Sequence, residues 1–174
     1  MSATLVIGGC RSGKSDRALS MAAACPGRQK VFIATCIPRD AEMRRRVKAH
    51  QASRGPEWLT VEIETGLVPA LEQHAHADAV IVDCLTLWVS NLMEAGLEDG
   101  RLLERAEELA GHLAQTAPPV FLVTNEVGTG IVPENPLARR FRDLAGAVNR
   151  ILAEACPQVV WMVAGIPVTI KSGK

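Results

Sequence analysis

The sequence predicts an α/β fold, built on a doubly wound, mostly parallel sheet with helices on both faces. First, short β-rich runs alternate with helical stretches along the chain, and this order implies right-handed βαβ crossovers. Second, the runs Ala79–Val82 and Val120–Val123 are apolar without alternating polarity, which is typical of strands buried on both faces. Because such sheets bind ligands at the carboxyl ends of their strands, the residues that follow each strand are the functional candidates.

Seven strands are predicted from short β-rich runs bounded by turn residues. In chain order they are Ala3–Gly9, Lys30–Cys36, Leu59–Glu64, Asp78–Leu85, Pro119–Glu126, Gln158–Ala164 and, as a last candidate, Pro167–Ile170. No internal repeat, low-complexity tract or linker-like change of composition interrupts residues 1–174, so we expect a single domain.

Six helical stretches are predicted between these strands. They are Lys14–Cys25, Asp40–Ser53, Val68–His76, Leu87–Ala95, Arg101–Gln115 and Pro136–Cys156. The last stretch is long and amphipathic, so one of its faces is expected to pack on the sheet. In the fourth stretch, Trp88, Leu92 and Met93 are candidates for an oligomer interface.

The composition excludes several classes of protein. Of the 174 residues, 48% are hydrophobic and 22% charged, and 19 basic residues balance 19 acidic ones. These values argue against a disordered chain and against a non-specific nucleic-acid binder. No apolar segment approaches the roughly 20 residues that span a bilayer, and the N-terminus lacks the basic region of a signal peptide. We therefore expect a cytoplasmic protein with neither a membrane span nor a nucleic-acid partner.

The cysteines and histidines predict neither disulfides nor a zinc site. The five cysteines are scattered, contain no C-x-x-C pair and are odd in number, so reduced thiols are expected. The four histidines do not fall at metal-ligand spacing with these cysteines.

A phosphate-binding loop is predicted between the first strand and the first helix. It matches the G-x-x-x-x-G-K-S pattern and reads Gly8-Gly9-Cys10-Arg11-Ser12-Gly13-Lys14-Ser15. Glycines suit this loop because backbone N–H groups must approach a polyphosphate closely. Lys14 would neutralise the β and γ oxygens, and the Ser15 hydroxyl would ligate Mg²⁺. The alternative is a glycine-rich turn that only begins a helix, but strand, spacing and helix together favour a P-loop NTPase-like fold.

Asp83 is the candidate for a second magnesium ligand. Sites of this kind use a carboxylate at the end of a neighbouring buried strand, and Asp83 follows the apolar run Ala79–Val82. An aspartate in this position is also suited to cap the helix that follows. Both roles remain open at this stage.

A histidine lies on the apolar face of the second predicted helix. Met43, Val47 and His50 are spaced at i, i+4 and i+7, so His50 is expected to face inward. A neutral imidazole there could act as a nucleophile, whereas histidines on apolar helix faces are also common core or boundary residues. The spacing alone leaves both interpretations open.

Several spaced segments form a pattern that extends, with the phosphate loop, over nearly the whole chain. They are Ala34-Thr35, the spaced block from Asp40 through His50 and Arg54 to Glu62, Asp83 to Leu92, Thr124 to Pro133, Arg139 to Asn149, and Gly165 to Lys171. Together these segments resemble the bifunctional adenosylcobinamide kinase / adenosylcobinamide-phosphate guanylyltransferase family of cobalamin biosynthesis.

This resemblance implies two reactions. A nucleoside triphosphate, ATP or GTP, would first phosphorylate the aminopropanol hydroxyl of adenosylcobinamide. GTP would then transfer GMP to adenosylcobinamide-phosphate through a guanylyl group on the histidine that matches His50. A neutral imidazole can attack the α-phosphorus of a GTP held in the loop, so the rate should fall as the imidazole becomes protonated.

The resemblance also implies Mg²⁺ as a cofactor, a homotrimeric assembly and further nucleotide contacts. Beyond the phosphate loop, the implied contacts are Ala34, Thr35, Cys36, Arg54, Glu62 and Leu85. A carboxylate such as Glu62 can accept from the N1–H and 2-amino groups of guanine, although a solvated strand residue is an equal alternative. Asn125 and Glu126 follow a buried strand and suit a role in substrate or nucleotide binding.

Two other functions are consistent with the phosphate loop. A plain small-molecule kinase would leave the block around His50 without a role. A GTP-binding switch would normally carry an Asn-Lys-x-Asp element, which this sequence lacks.

Overall fold

One mixed sheet organises the computed structural model, which describes residues 3–36, 55, 57–115 and 118–173. Within these ranges the strands are β1 (Ala3–Gly8), β2 (Lys30–Ala34), β3 (Trp58–Glu62), β4 (Ala79–Asp83), β5 (Val120–Asn125), β6 (Gln158–Val163) and β7 (Ile166–Lys171). Their order across the sheet is β3-β2-β4-β5-β1-β6-β7, and all neighbours are parallel except the antiparallel pair β6 and β7.

Helices cover both faces of this sheet. They are α1 (Lys14–Ala23), α2 (Leu67–Gln73), α3 (Leu85–Glu94), α4 (Asp99–Leu113) and α5 (Pro136–Ala155). Buried side chains of α1 pack on one face, whereas those of α2 to α5 pack on the other. In β4, Val80 and Val82 belong to one core cluster while Ala79 and Ile81 belong to the opposite one, which explains the absence of alternating polarity. The predicted doubly wound α/β fold is confirmed.

The twenty-residue helix α5 illustrates how local sequence sets an element's bounds. The Asn135 side chain accepts hydrogen bonds from the backbone N–H groups of Leu137 and Ala138, at 2.8 and 3.2 Å. Pro136 follows in the first turn, where its missing N–H has no cost. The helix therefore begins at its predicted residue.

The expected oligomer interface on the fourth predicted helix is wrong. That helix, α3, begins at Leu85 and lies against β5 and α5. Trp88 and Leu92 are each only 2% exposed, and Trp88 Nε1 donates to the Thr65 carbonyl at 2.7 Å. Met93 packs against the same core. These apolar side chains are used to join the helix to the rest of the fold.

The register places the predicted site residues along one edge of the sheet. Ala34 at the end of β2 pairs with Glu62 on one side and with Asp83 on the other. Gly8 at the end of β1 pairs with Asn125 and with Met162. The carboxyl ends of the parallel strands therefore form a continuous row.

Two further predictions concern the helices. The helix predicted over residues 40–53 lies outside the described residues. Among the helices that the structure describes, none combines the length and the apolar character that a membrane span requires.

Candidate active site

The loop between β1 and α1 has a backbone that requires glycine at two positions. A Cβ on Gly8 would lie 2.5 Å from the carbonyl oxygen of Met162, which belongs to the neighbouring strand. Gly13 has φ of +83° and forms the N-cap of α1. The first position needs close backbone approach and the second needs a left-handed conformation. Gly8 and Gly13 of the predicted loop thus have a structural reason.

Lys14 is the buried cation of this loop. It is 7% exposed, and its Nζ donates to the Gly9 carbonyl at 2.5 Å. Burial lowers the pKa of the Lys14 ammonium, although the nearby Asp83 carboxylate acts in the opposite direction. A polyphosphate in the loop would bring negative oxygens to this desolvated charge and would favour its protonated form.

Ser15 and Asp83 meet beside the loop. Ser15 Oγ, in the first turn of α1, donates to Asp83 Oδ2 at 2.6 Å. The N-cap residue of α3 is Cys84 and not Asp83, so Asp83 does not hold the N-cap position considered for it. A hydroxyl and a carboxylate are ligands that suit Mg²⁺, which commonly completes its shell with water and substrate phosphate oxygens. Among the described residues, no three His, Cys, Asp or Glu side chains lie close enough together to hold a metal ion. A Mg²⁺ ion at Ser15 and Asp83 would therefore need water and phosphate oxygens as its remaining ligands.

Thr35 joins the end of β2 to the end of β4. Its hydroxyl donates to the Cys84 carbonyl at 2.7 Å and accepts from the Cys84 N–H at 2.8 Å. Asn91 of α3 donates from Nδ2 to the Thr35 carbonyl at 2.9 Å and to the Glu64 carbonyl at 3.0 Å. The fully buried Thr35 side chain therefore orients the segment that carries Asp83. Sequence reasoning missed Asn91, because its two partners come from distant loops.

The other predicted nucleotide contacts are distributed along the sheet edge. Glu62 is exposed at the end of β3, beside Ala34, and Cys36 is half-buried just beyond β2. Leu85 is fully buried in the core, which leaves only its backbone to meet a ligand. Neighbouring strands lie about 4.8 Å apart, so the four spacings from β3 to β1 span about 19 Å. His50 and Arg54 lie outside the described residues.

A polar network fixes the end of β5 between the phosphate loop and Asp83. Asn125 Nδ2 donates to Thr86 Oγ1 at 3.0 Å, and the Asn125 carbonyl accepts from Asn149 Nδ2 at 3.1 Å. Asn149 also accepts from Thr124 Oγ1 at 2.7 Å. Asn125 is thus committed to contacts within the protein, and the first side chain beyond the strand is that of Glu126.

A cleft opens on the far side of the loop, with a volume of about 320 Å³. Its walls come from the loop, the segment after β5 and the β6–β7 hairpin, and its lining residues are Gly9, Cys10, Arg11, Ser12, Glu126, Thr129, Trp161, Met162, Val163 and Ala164. The turn of the hairpin contacts the loop directly, because Gly165 N–H donates to the Ser12 carbonyl at 3.2 Å. A substrate in this cleft would lie next to phosphates bound in the loop.

Comparison with known protein families gives one match over nearly the whole chain. The family described as cobinamide kinase / cobinamide phosphate guanyltransferase matches residues 4–170. Curated relatives include a bifunctional adenosylcobalamin biosynthesis protein CobP from Pseudomonas aeruginosa, 40% identical over 96% of both chains. Two bifunctional adenosylcobalamin biosynthesis proteins CobU, from Salmonella typhimurium and Escherichia coli, are 43% and 39% identical over 96% of this chain and 98% of theirs.

Solved structures with a similar fold include a KaiC-like protein from Pyrococcus horikoshii, with a TM-score of 0.58 and 16% identity. The match covers 92% of this chain and 70% of that one. The flagellar accessory protein FlaH from Methanocaldococcus jannaschii has a TM-score of 0.51 and 11% identity, covering 99% of this chain and 79% of its own. At such identities the likeness concerns the fold alone, and it confirms the predicted P-loop NTPase-like class.

Proposed function

Because the chain belongs to the cobinamide kinase / cobinamide phosphate guanyltransferase family, we propose that it catalyses two consecutive transfers in cobalamin biosynthesis. The first transfers the γ-phosphoryl group of ATP or GTP to the aminopropanol hydroxyl of adenosylcobinamide. The second transfers GMP from GTP to adenosylcobinamide-phosphate and releases pyrophosphate. The observation that carries this proposal is the Ser15–Asp83 pair beside the buried ammonium of Lys14.

In the kinase step the loop holds the triphosphate by its backbone N–H groups and by Lys14. The loop is held at both ends, since it joins a buried strand to a helix. Ser15 and Asp83 would hold Mg²⁺, which supplies positive charge to the outer phosphates when it is bound. Lys14 then stabilises the negative charge that develops on the β–γ bridging oxygen as the nucleoside diphosphate leaves.

In the guanylyl step we assign the nucleophile to His50. Its neutral imidazole nitrogen attacks the α-phosphorus, the bond to the pyrophosphate oxygen breaks, and a phosphoramidate forms. The substrate phosphate then displaces the imidazole and accepts the guanylyl group. The proposed nucleotide contacts beyond the phosphate loop are Ala34, Thr35, Cys36, Arg54, Glu62 and Leu85. Three of these end or follow β2 and a fourth ends β3, at the end of the row away from the loop.

We further propose that one phosphate loop serves both transfers in turn, within one catalytic domain of residues 1–174. Both reactions require that the negative charge of a triphosphate is neutralised. The loop follows β1, which lies between the proposed nucleotide contacts on β2 and β3 and the β6–β7 hairpin on the other side. We place this enzyme in the cytoplasm.

A homotrimer is the assembly that we propose. The edge strand β7 offers a suitable surface, because Ile166, Val168 and Ile170 are 65%, 44% and 59% exposed. An apolar face of this kind on an edge strand favours association in water.

The test of the guanylyl step uses GTP labelled with ³²P at either the α or the γ position. After incubation with Mg²⁺ and denaturation, label from the α position alone should remain on the protein and should be released by acid. It should be absent from His50→Ala and retained by His76→Ala, which removes an exposed histidine after α2. A protein that binds GTP but retains neither label would be a plain small-molecule kinase.

A further inference from the structure

Phosphoryl transfer to a hydroxyl requires a group that accepts the hydroxyl proton. Beside the phosphate loop, neither Lys14 nor Asp83 supplies it, because Lys14 is a cation and Asp83 is engaged with Ser15. The acceptor must lie beside the first residues of the phosphate loop, on the side from which a large alcohol substrate can enter. This requirement rests on the kinase activity proposed above.

Glu126 occupies that position. Its backbone N–H donates to the Gly8 carbonyl at 3.0 Å, so the backbone of Glu126 lies beside the first glycine of the loop. Its side chain lines the 320 Å³ cleft together with Gly9, Cys10, Arg11 and Ser12. Among the described residues it is the one carboxylate that lines this cleft. A hydroxyl that reaches a phosphate in the loop through the cleft therefore passes next to Glu126.

The carboxylate is oriented by the segment that follows it. Glu126 Oε1 accepts from the Gly128 N–H at 2.5 Å, and the Gly128 carbonyl accepts from Arg142 Nη2 of α5 at 2.6 Å. Within the described part of the chain, Oε2 makes no hydrogen bond. Glu126 is half-buried, so it is reachable by substrate while its conformation is restrained. The hydrogen bond to Oε1 therefore fixes the side chain, and Oε2 is left to accept a proton from the substrate.

We propose that Glu126 is the catalytic base of the kinase step and that the cleft receives the aminopropanol arm of the cobinamide. As the hydroxyl oxygen forms its bond to the γ-phosphorus, the bond from that phosphorus to the β–γ bridging oxygen breaks. The hydroxyl proton passes to Glu126 Oε2, and the leaving nucleoside diphosphate retains the electron pair. Thr129 and Trp161 in the cleft wall lie where they can contact the arm.

The two activities of the enzyme provide an internal control. The acceptor of the guanylyl step is a phosphate group that has no hydroxyl proton to lose, so that step does not need Glu126. The substitution Glu126→Gln keeps an Oε1 that can accept from Gly128 N–H, which preserves the segment's hydrogen bond while removing the base. Glu134→Gln is the matched control, since Glu134 is an exposed carboxylate of the same segment.

The experiment measures both transfers separately, the first with adenosylcobinamide and the second with adenosylcobinamide-phosphate. Glu126→Gln should lower kcat of the kinase step by about 10²- to 10⁴-fold, the range for loss of a general base. KM for cobinamide and the rate of guanylyl transfer should change by less than about three-fold, a margin well below that range.

Two results would overturn the assignment. A kinase rate in Glu126→Gln close to that of the wild type would show that the proton goes elsewhere. An equal loss of both transfers would assign Glu126 a structural role in holding the loop. Failure of the proposed function would look different. In that case the wild-type protein itself would transfer no phosphoryl group to cobinamide, whereas failure of the Glu126 assignment leaves wild type and variant equally active.

Discussion

Two parts of the same sheet edge differ in how they are built. The nucleotide side comprises the phosphate loop, Asp83 and Thr35, and the acceptor side comprises the segment from Glu126 to Pro133 together with the β6–β7 hairpin. On the nucleotide side Lys14 is 7% exposed and Thr35 is fully buried. On the acceptor side Ile131 is 97% exposed and Trp161 is 40% exposed.

This difference agrees with the ligand that we propose for each side. Developing charge on a triphosphate is stabilised best by donors that are fixed in place before the reaction, and such donors require burial and bonded partners. A large corrinoid can be admitted only by an open surface. Substitutions on the nucleotide side should therefore slow both transfers. Substitutions on the acceptor side should slow only the transfer whose acceptor group that side contacts.

The largest effect is expected from Lys14→Met, which removes the charge of the nucleotide side but keeps much of the buried stem. Both transfers should fall by about 10³-fold in kcat/KM, because each depends on charge neutralisation at the loop. The midpoint of urea unfolding should not decrease, since burial already disfavours the charged form of Lys14. Lys171→Met, far from the loop, is the control. If Lys14→Met lost only one of the two transfers, the two reactions would not share the nucleotide side.

Gly8→Ala tests the junction between the two sides. The added Cβ would lie 2.5 Å from the Met162 carbonyl oxygen, so the loop and β6 must separate. Overpacking of this kind costs about 1–3 kcal/mol in the free energy of unfolding. Gly9→Ala is the matched control, because nothing lies within 4 Å of a Cβ there. Equal stability of the two variants by urea titration would refute the close approach.

Outside both sides lies Cys156, which is fully buried between α5 and β6. Burial raises the pKa of this thiol from 9.0 to about 12. A raised pKa in the folded state gives stability that is complete below pH 9 and is lost as the pH rises toward 12. The free energy of unfolding should therefore fall by about 1.4 kcal/mol per pH unit more steeply in wild type than in Cys156→Ala. Parallel pH profiles would show that the thiolate is tolerated in the fold.

Local spacing was sufficient to predict where the candidate residues that are continuous in sequence lie in the fold. The phosphate loop and Asp83 follow buried strands, and their neighbours in space are set by the parallel order of the sheet. The role of Thr35 was not predictable in the same way, because its partner Cys84 lies 49 residues away. The burial of Trp88 depends on packing with distant elements, and a helical pattern does not state which apolar face is covered.

The orientation of the last strand had a signal that the sequence analysis did not use. Ala164 and Gly165 have φ of +50° and +85°, and they form a two-residue turn between β6 and β7. Such turns join antiparallel strands, and glycine at the second position is a common sign of them. This hairpin departs from the otherwise parallel order and forms one wall of the acceptor-side cleft.

We infer that one nucleotide side serves both transfers. Equilibrium dialysis with non-hydrolysable analogues of ATP and GTP, each carrying a different label, tests this inference in the presence of Mg²⁺. We expect a total of one nucleotide per subunit, with each analogue displacing the other competitively and neither retained by Lys14→Met. Simultaneous binding of one ATP analogue and one GTP analogue to each subunit would contradict it.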